Sequence, residues 1–402
     1  MADNYLSTLD IEDMQGVKLK DSAARLAIGT LSDLRTTNKN NLVAAINEAL
    51  NTDRIYKSIN EMIAANIEAG DVAIVLNPEP SYWNVEASGT PSIICHELDN
   101  GKFAKLLNAA PINIGSLKVY DDRDDISDDV QFLLDNGYNS VIIPEGTFIC
   151  SVNVSSNQSV SGSHISRTSL LPKNHTQVFS INGDYINISN LWITDESPYS
   201  GYGITIGTNA QCNNSHFENV HLENLSSGLL SVGSMIWNEF SNCDFIGCFD
   251  HGFVITSGTA YFNNNAFYSC KFNNNVNAGI VIDVAEVHDY DNTFYSCNIE
   301  YNAQDRFGQT HTDAYAVLNT GFTSFIGCYF EGNGADNNHY TIQNWDLLNV
   351  IGCSLIQEHT FIDNNHPGAI TNLIGNKQYQ CAGYVSTQVT EVNLLGNNFT
   401  LT

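Results

Sequence analysis

The chain has 402 residues, 43% of them hydrophobic, and a formal charge of -28 that arises from 16 Lys+Arg set against 44 Asp+Glu. A surface so poor in cations repels phosphate backbones, which argues against nucleic acid as a partner. Met1 to Asp13 has neither the basic nor the apolar stretch of an export signal, and no apolar run approaches the ~18 residues of a membrane span, so a soluble protein made in a cytoplasm, without a membrane partner, is expected.

From Met1 to about Leu50 the pattern is polar and helical, with Leu42, Ile46 and Leu50 on one face. A second amphipathic stretch, carrying Ile59, Met62, Ile63 and Ile67, is expected to run to a C-cap at Gly70. Short strands follow at Val72–Leu76 and Ser92–Cys95, separated by Pro and Gly turns. After the acidic segment at Asp121, the residues Ile126, Val130, Leu133 and Leu134 predict one helix closed by Asn136-Gly137. Val141-Ile142-Ile143 is a buried strand, and Pro144-Glu145-Gly146 turns the chain into the next one. Beyond it only short β-rich runs occur, broken by Asn, Gly and Ser.

Those runs repeat, and a repeat outranks other clues to architecture. An apolar residue, two small or polar residues, Cys or Val, any residue and a second apolar residue recur at Phe217/Val220/Leu222, Phe240/Cys243/Phe245, Phe267/Cys270/Phe272, Phe294/Cys297/Ile299, Phe325/Cys328/Phe330 and Val350/Cys353/Leu355. Ile188/Leu191/Ile193 is an earlier copy and Val160/Ser163/Ile165 a weaker one. In a strand, i and i+2 share a face, so Cys270 and Phe272 point the same way. Phe267, three residues before Cys270, breaks that parity, and a bend must lie between them. Two-residue corners such as Tyr268-Ser269, Tyr295-Ser296 and Ile326-Gly327 let successive strands both face inward, as a coil wound round its own core requires. The expected fold is all-β, a right-handed single-stranded parallel β-helix with a small helical and α+β N-terminal region. Stacked coils would give a Phe column, a Cys column from Cys243 to Cys353, and an Asn column at Asn275, Asn302 and Asn333. Free Cys packs as a small hydrophobe, and the chain has no CxxC pair and no Cys/His zinc spacing, so the cysteines are assigned to the core, with no metal and no cofactor.

Val119-Tyr120-Asp121-Asp122, the helix, and Val141-Ile142-Ile143-Pro144-Glu145-Gly146-Thr147-Phe148 together resemble the opening of the pectate-lyase-like β-helix family. Gly70-Asp71-Val72-Ala73 and Gly101-Lys102-Phe103-Ala104-Lys105-Leu106 resemble the small module that precedes this opening in bacteriophage tailspikes. Val17 to Arg25 and Leu34 to Glu48 are similar to segments common in phage tail-fibre and tail-anchoring proteins. The resemblance departs from the family in lacking the Gly-rich lead-in before the acidic turn. It implies a virion protein, a homotrimer that meets other tail proteins through its N-terminal segment and has a bacterial surface polysaccharide as its partner. The implied organisation is an anchoring segment at 1–52, a head module at 53–115, a β-helix at 116–358 with a capping helix at about 124–136, and a C-terminal β segment at 359–402.

By strand parity, the residue three after each column Cys points outward: Asn273, Glu300 and Glu331, with Glu223 in the equivalent earlier place. In register, Glu300 and Glu331 would lie about 4.8 Å apart at the backbone, close enough for one carboxyl pKa to rise and supply a general acid. Such spacing favours a retaining glycosidase, while the wider Glu300/Asp305 pairing would serve inversion. Tyr301, Tyr329 and Trp345 are candidate sugar-stacking groups. Asp250-His251, Asp283, Glu286 and Asp289/Asp291 are rival carboxylates. His251, His288 and His311 are read as loop histidines. Few bases lie between Val141 and Thr360, namely Arg167, Lys173, Lys271 and Arg306. Hydrolysis of a neutral or weakly charged glycan is therefore preferred over a lyase, which needs cations for a uronate; Arg306, a candidate substrate-binding residue beside the Glu300 loop, keeps the lyase option open. A non-catalytic receptor-binding or structural spike is the alternative, since a scaffold does not itself carry chemistry.

Overall fold

A computed structural model describes residues 55–396, apart from 77–80, 108–110, 198–199, 258, 285–288, 306–314, 335–339, 358–359, 365, 380, 382 and 387–390. The segment expected to anchor the chain, 1–52, lies outside the described residues, as do Glu286, His288, Arg306 and His311. The chain divides into two units, one ending at Leu107 and one continuing from Asn108.

In the first unit, Ser58 accepts the Glu61 amide and starts a helix that spans only Ile59–Ile63. The expected run to Gly70 is not realised: Ala64 already caps the helix, while Ile67 is buried from the following turn and Gly70 serves a later one at φ 93°. Five strands form one sheet in the order Ile55–Tyr56, Val72–Val75, Ser81–Glu86, Phe103–Leu106, Cys95–Glu97, around the fully buried Trp83, whose indole N–H donates to Ser81 Oγ at 2.9 Å. Ser92–Cys95 is not a strand. Ser92 and Cys95 bridge each other antiparallel across a tight turn, because Ile93 has to fold back into the core.

The second unit is a parallel β-solenoid of about 10 turns. A helix at Ser127–Asp135 opens it, burying Val130, Leu133 and Leu134 and ending at Asn136, with Gly137 left-handed at φ 86°. Thereafter most coils lay down two consecutive strands of a twenty-stranded sheet, fused into one at Asn187–Thr194 and at His216–Glu223, and further strands belong to a fourteen-stranded sheet, counted among the described residues. Phe217, Phe240, Phe267, Phe294, Phe325 and Val350 are successive register partners on the first wall. Neighbouring rings stack face to face at 4.5, 4.6, 4.4 and 4.8 Å from Phe217 to Phe325. Each of these rings is essentially excluded from solvent, so the column contributes both apolar burial and aromatic contact.

The bend between the first and second walls is written in backbone chemistry. Asn190, Asn219, Asn242, Ser269, Ser296, Gly327, Gly352, Gly375 and Gly396 all occupy left-handed φ of 51° to 65°. Small, locally hydrogen-bonding or glycine residues tolerate that conformation, which is why the residue immediately before each column Cys is Asn, Ser or Gly. All ten cysteines are free thiols. Those of the column donate to carbonyls of the coil before, as Cys270 Sγ does to Phe240 O at 3.4 Å, and burial pushes Cys150, Cys212 and Cys248 up to about 12. At the corner after the second wall, Asn275, Asn302 and Asn333 form a ladder: the Asn302 amide donates to Asn333 Oδ1 at 3.1 Å and accepts from Asn275 Nδ2 at 2.8 Å. A second ladder, Asn238-Asn265-Asn292, lies at the corner before the first wall.

One copy of the repeat is misplaced in the sequence reading. Val160 pairs with Ile188, but the partner of Ile193 is Leu170, not Ile165. The excursion from Gly162 to Arg167 lies between the two walls here, so the fixed spacing fails. Conversely, the coils run on past Val350 through Leu373 to Leu394, where Asn376 takes the place of the column Cys and its Oδ1 accepts the Cys353 amide at 2.8 Å.

Candidate functional site

The second wall carries two outward columns, because every inward residue has an outward neighbour on each side. One column runs Thr194, Glu223, Ile246, Asn273, Glu300, Glu331, Ile356. The other runs Trp192, His221, Asp244, Lys271, Asn298, Tyr329, Ser354 in the same pairings.

Glu300, at the end of the strand Asn298–Glu300, is the direct register partner of Glu331, at the end of Tyr329–Glu331. Both are half-buried. Burial and the Glu331 carboxylate push the Glu300 carboxyl above its ordinary value, with Lys271 pulling the other way. Tyr329 donates its hydroxyl to Glu331 Oε2 at 2.6 Å, and that bond, with burial, pushes the phenol up to about 12. The two carboxyl groups are thus unequal: Glu300 is pushed towards its protonated form, while Glu331 is held by the hydroxyl of Tyr329.

Tyr301 follows Glu300 at the next corner with φ 55°, where the corresponding residues of other coils are Asn224, Gly247, Asn274, Gly332 and Gln357. A bulky side chain in that region is costly and signals either strain or use. Its ring lies over Gly332, where an added Cβ would come within 2.7 Å of the ring, so the glycine makes room for the tyrosine. Asp305 is exposed beyond the same corner, past Asn302 and Ala303, which are buried. Glu300, Glu331, Tyr301 and Tyr329 are therefore brought together.

Trp345 is not among them. It follows the strand Tyr340–Asn344 of the fourteen-stranded sheet, the third wall, stacks on His366 at 5.7 Å, and lines a separate cleft of about 440 Å3 with Asp283, Tyr315 and Gln343. Of the rival carboxylates, Asp283 accepts from Thr256 Oγ1 at 3.3 Å and Asp250 from Ser226 Oγ at 3.4 Å, while Asp291 occupies a left-handed corner. None of these joins the Glu300 wall. Among the described residues no group of three or more His, Cys, Asp or Glu is arranged to hold a metal.

The sequence reading overlooked His221. Its Nδ1 lies 3.1 Å from Asp244 and its Nε2 3.2 Å from Glu223, and Lys271 also reaches Asp244 at 3.3 Å. Burial opposes the charged ring, but the two carboxylates outweigh it and raise the pKa to about 9. Burial likewise works against the Asp244 carboxylate, yet His221 and Lys271 hold its pKa below the ordinary value. The available signal was parity: the residue immediately after each column Cys or Val points outward as surely as the one three after it.

No family model and no curated protein matches the chain. Solved structures do share its fold. The tailspike protein gp49 from Acinetobacter baumannii bacteriophage Fri1, a capsular polysaccharide depolymerase, is 14% identical over 86% of this chain and 71% of that one, with a TM-score of 0.57. The enzymatically active domain of tailspike protein 4 from bacteriophage CBA120 is 11% identical over 90% of this chain and 56% of that one, with a TM-score of 0.61. An alginate lyase from Paenibacillus sp. is 13% identical over 67% of this chain and 99% of that one, with a TM-score of 0.53. At these identities the likeness is one of fold, and the chain spans little more than half of the second protein.

Proposed function

We propose that the chain is a bacteriophage tailspike that binds a bacterial surface polysaccharide and hydrolyses it with Glu300 as general acid and Glu331 as nucleophile. The observation that carries the reading is the register pairing of these two unequal carboxyls on adjacent rungs of a tailspike-like solenoid. Glu300 protonates the glycosidic oxygen while Glu331 attacks the anomeric carbon. The bond to the leaving sugar breaks, and a glycosyl ester forms on Glu331. Water then attacks that ester, with Glu300 taking its proton and Glu331 leaving as carboxylate. A rung spacing of about 4.8 Å supports the close pairing that retention needs, roughly 5–5.5 Å between carboxyl groups. Tyr301 and Tyr329 flank the pair as sugar-contacting groups, and Asp305 would act only in an inverting variant of the scheme. The chain assembles as a homotrimer in the virion, joined to other tail proteins through the N-terminal segment.

The test is incubation of the purified protein with host surface polysaccharide while new reducing ends are counted. Hydrolysis lost in both Glu300→Gln and Glu331→Gln, with glycan binding retained, supports the proposal; tight binding without new ends makes the protein a non-catalytic receptor-binding spike. A lyase is the second reading, favoured by Lys271 near Glu300 and by the shared fold of the alginate lyase. It predicts an ultraviolet-absorbing unsaturated sugar at the new end, which hydrolysis does not produce.

A further inference from the structure

A second cleft, of about 430 Å3, opens at the other end of the same wall and is lined by Trp192, Arg123, Arg167, Thr194 and Glu196 among others. Its volume falls in the range of about 300–1,000 Å3 usual for ligand sites. Arg123 is held there in an uncommon way. It has φ 70° within the turn Asp121–Asp124, whose ends are tied by the Asp121 amide donating to Asp124 Oδ2 at 2.8 Å, while Asp122 accepts the Thr147 amide at 3.1 Å. The acidic turn therefore fixes an arginine over the first coils, at a backbone conformation that is costly for it.

The charges of the cleft come in pairs. Arg123 lies against Glu196, and Arg167 against Glu145 at 3.3 Å; each of these four side chains is at least half exposed. Asp195 is buried and bonded to His175 Nδ1 at 2.9 Å. Such exposed pairs hold together weakly and can be rearranged by a ligand. With a carboxylate beside each guanidinium, the cleft offers adjacent donors and acceptors without surplus positive charge. A sugar hydroxyl, which donates and accepts at once, matches that surface; a sugar carboxylate does not. The half-buried Trp192, edge-on to His221 at 5.2 Å, adds the aromatic surface that the apolar face of a pyranose needs.

The register fixes where this cleft lies relative to the acidic pair. Thr194, Glu223, Ile246, Asn273 and Glu300 are consecutive partners, five rungs with four spacings between them, so the cleft is about 19 Å along the solenoid from Glu300 at about 4.8 Å per spacing. We propose that the Trp192 cleft is a distal subsite for a neutral pyranose residue of the same polysaccharide, which consequently lies along the wall and not across it. This rests on Glu300 and Glu331 marking the reaction centre. His221 and Asp244, on the rungs between, face the intervening sugars.

The experiment uses the double variant Glu300→Gln/Glu331→Gln, which cannot consume its ligand, and titrates it with size-fractionated oligosaccharides prepared by mild acid hydrolysis of the host surface polysaccharide. The chain has four tryptophans, so indole N–H resonances are few, and Trp192→Phe assigns the relevant one. Long oligosaccharides are expected to shift the Trp192 resonance, and Trp192→Ala to weaken their binding on the order of tenfold while leaving disaccharide binding unchanged. A silent Trp192 at saturation with long oligosaccharides, or unaltered affinity in Trp192→Ala, overturns the subsite. Wild-type protein that shortens the glycan while Trp192 stays silent overturns the subsite alone. A shifted Trp192 beside glycan left intact by wild type overturns only the hydrolase assignment.

Discussion

The hydroxyl of Tyr329 lies 2.6 Å from Glu331 Oε2, two residues along the same strand, so both side chains leave the wall on the same side. A hydrogen bond to a charged acceptor contributes about 1.5–3 kcal/mol. Tyr329→Phe should therefore slow glycan cleavage by about 10- to 100-fold. An unchanged rate would show that the bond does not act on the carboxylate of Glu331.

Glu300 titrates above the ordinary value because of burial and then Glu331, against Lys271. Carboxyl resonances followed by NMR should show its pKa falling in Glu331→Gln and rising in Lys271→Met. If both variants leave it where it was, the two rungs are not electrostatically coupled.

His221 gives the fold its own pH dependence. Its folded pKa of about 9 lies above the ordinary histidine value of 6.5, so its contribution is complete below about 6.5 and is lost as pH rises through about 9. At 1.36 kcal/mol per unit the loss is at most about 3 kcal/mol. Urea unfolding across this window should show stability declining for wild type and a flatter profile for His221→Gln; identical slopes would contradict the assignment.

Two core substitutions separate the stacked columns. Phe267→Ala removes a ring stacked on both sides and should cost about 3–5 kcal/mol. Asn302→Ala strands the Asn275 amide hydrogens and the Phe272 carbonyl, and about 2–4 kcal/mol is expected. Tyr268→Ala, outside the wall, should change stability by less than about 1 kcal/mol. Equal losses at Phe267 and Tyr268, read from denaturant midpoints, would contradict the inward and outward assignment.

Much of this was legible in the sequence because the solenoid imposes a physical constraint at every turn. Phe240, Phe267 and Phe294 recur since each must fill the space above the last, and Ser269, Ser296 and Gly327 recur since each must bend left-handed. The pattern was lost where another residue met the same demand: Asn376 bonds the Cys353 amide in place of a thiol, and Leu170 reaches the Ile193 position only after an excursion. The acidic wall was legible through parity at Glu300 and Glu331. Parity says which side a residue faces, but not which corner a loop residue reaches, and so Trp345 falls on the third wall. The His221 cluster depends on Asp244 of the next coil, 23 residues on, meeting His221 and Glu223 of one strand, and only the register reveals that meeting.

The most direct test of the paired carboxyls is the stereochemistry of the first product, followed by time-resolved proton NMR of the glycan with fresh wild-type protein. The account predicts that the newly formed reducing end first appears in the same anomeric configuration as the parent linkage, and that neither Glu300→Gln nor Glu331→Gln produces it. The opposite anomer appearing first, or cleavage undiminished in either variant, would contradict it.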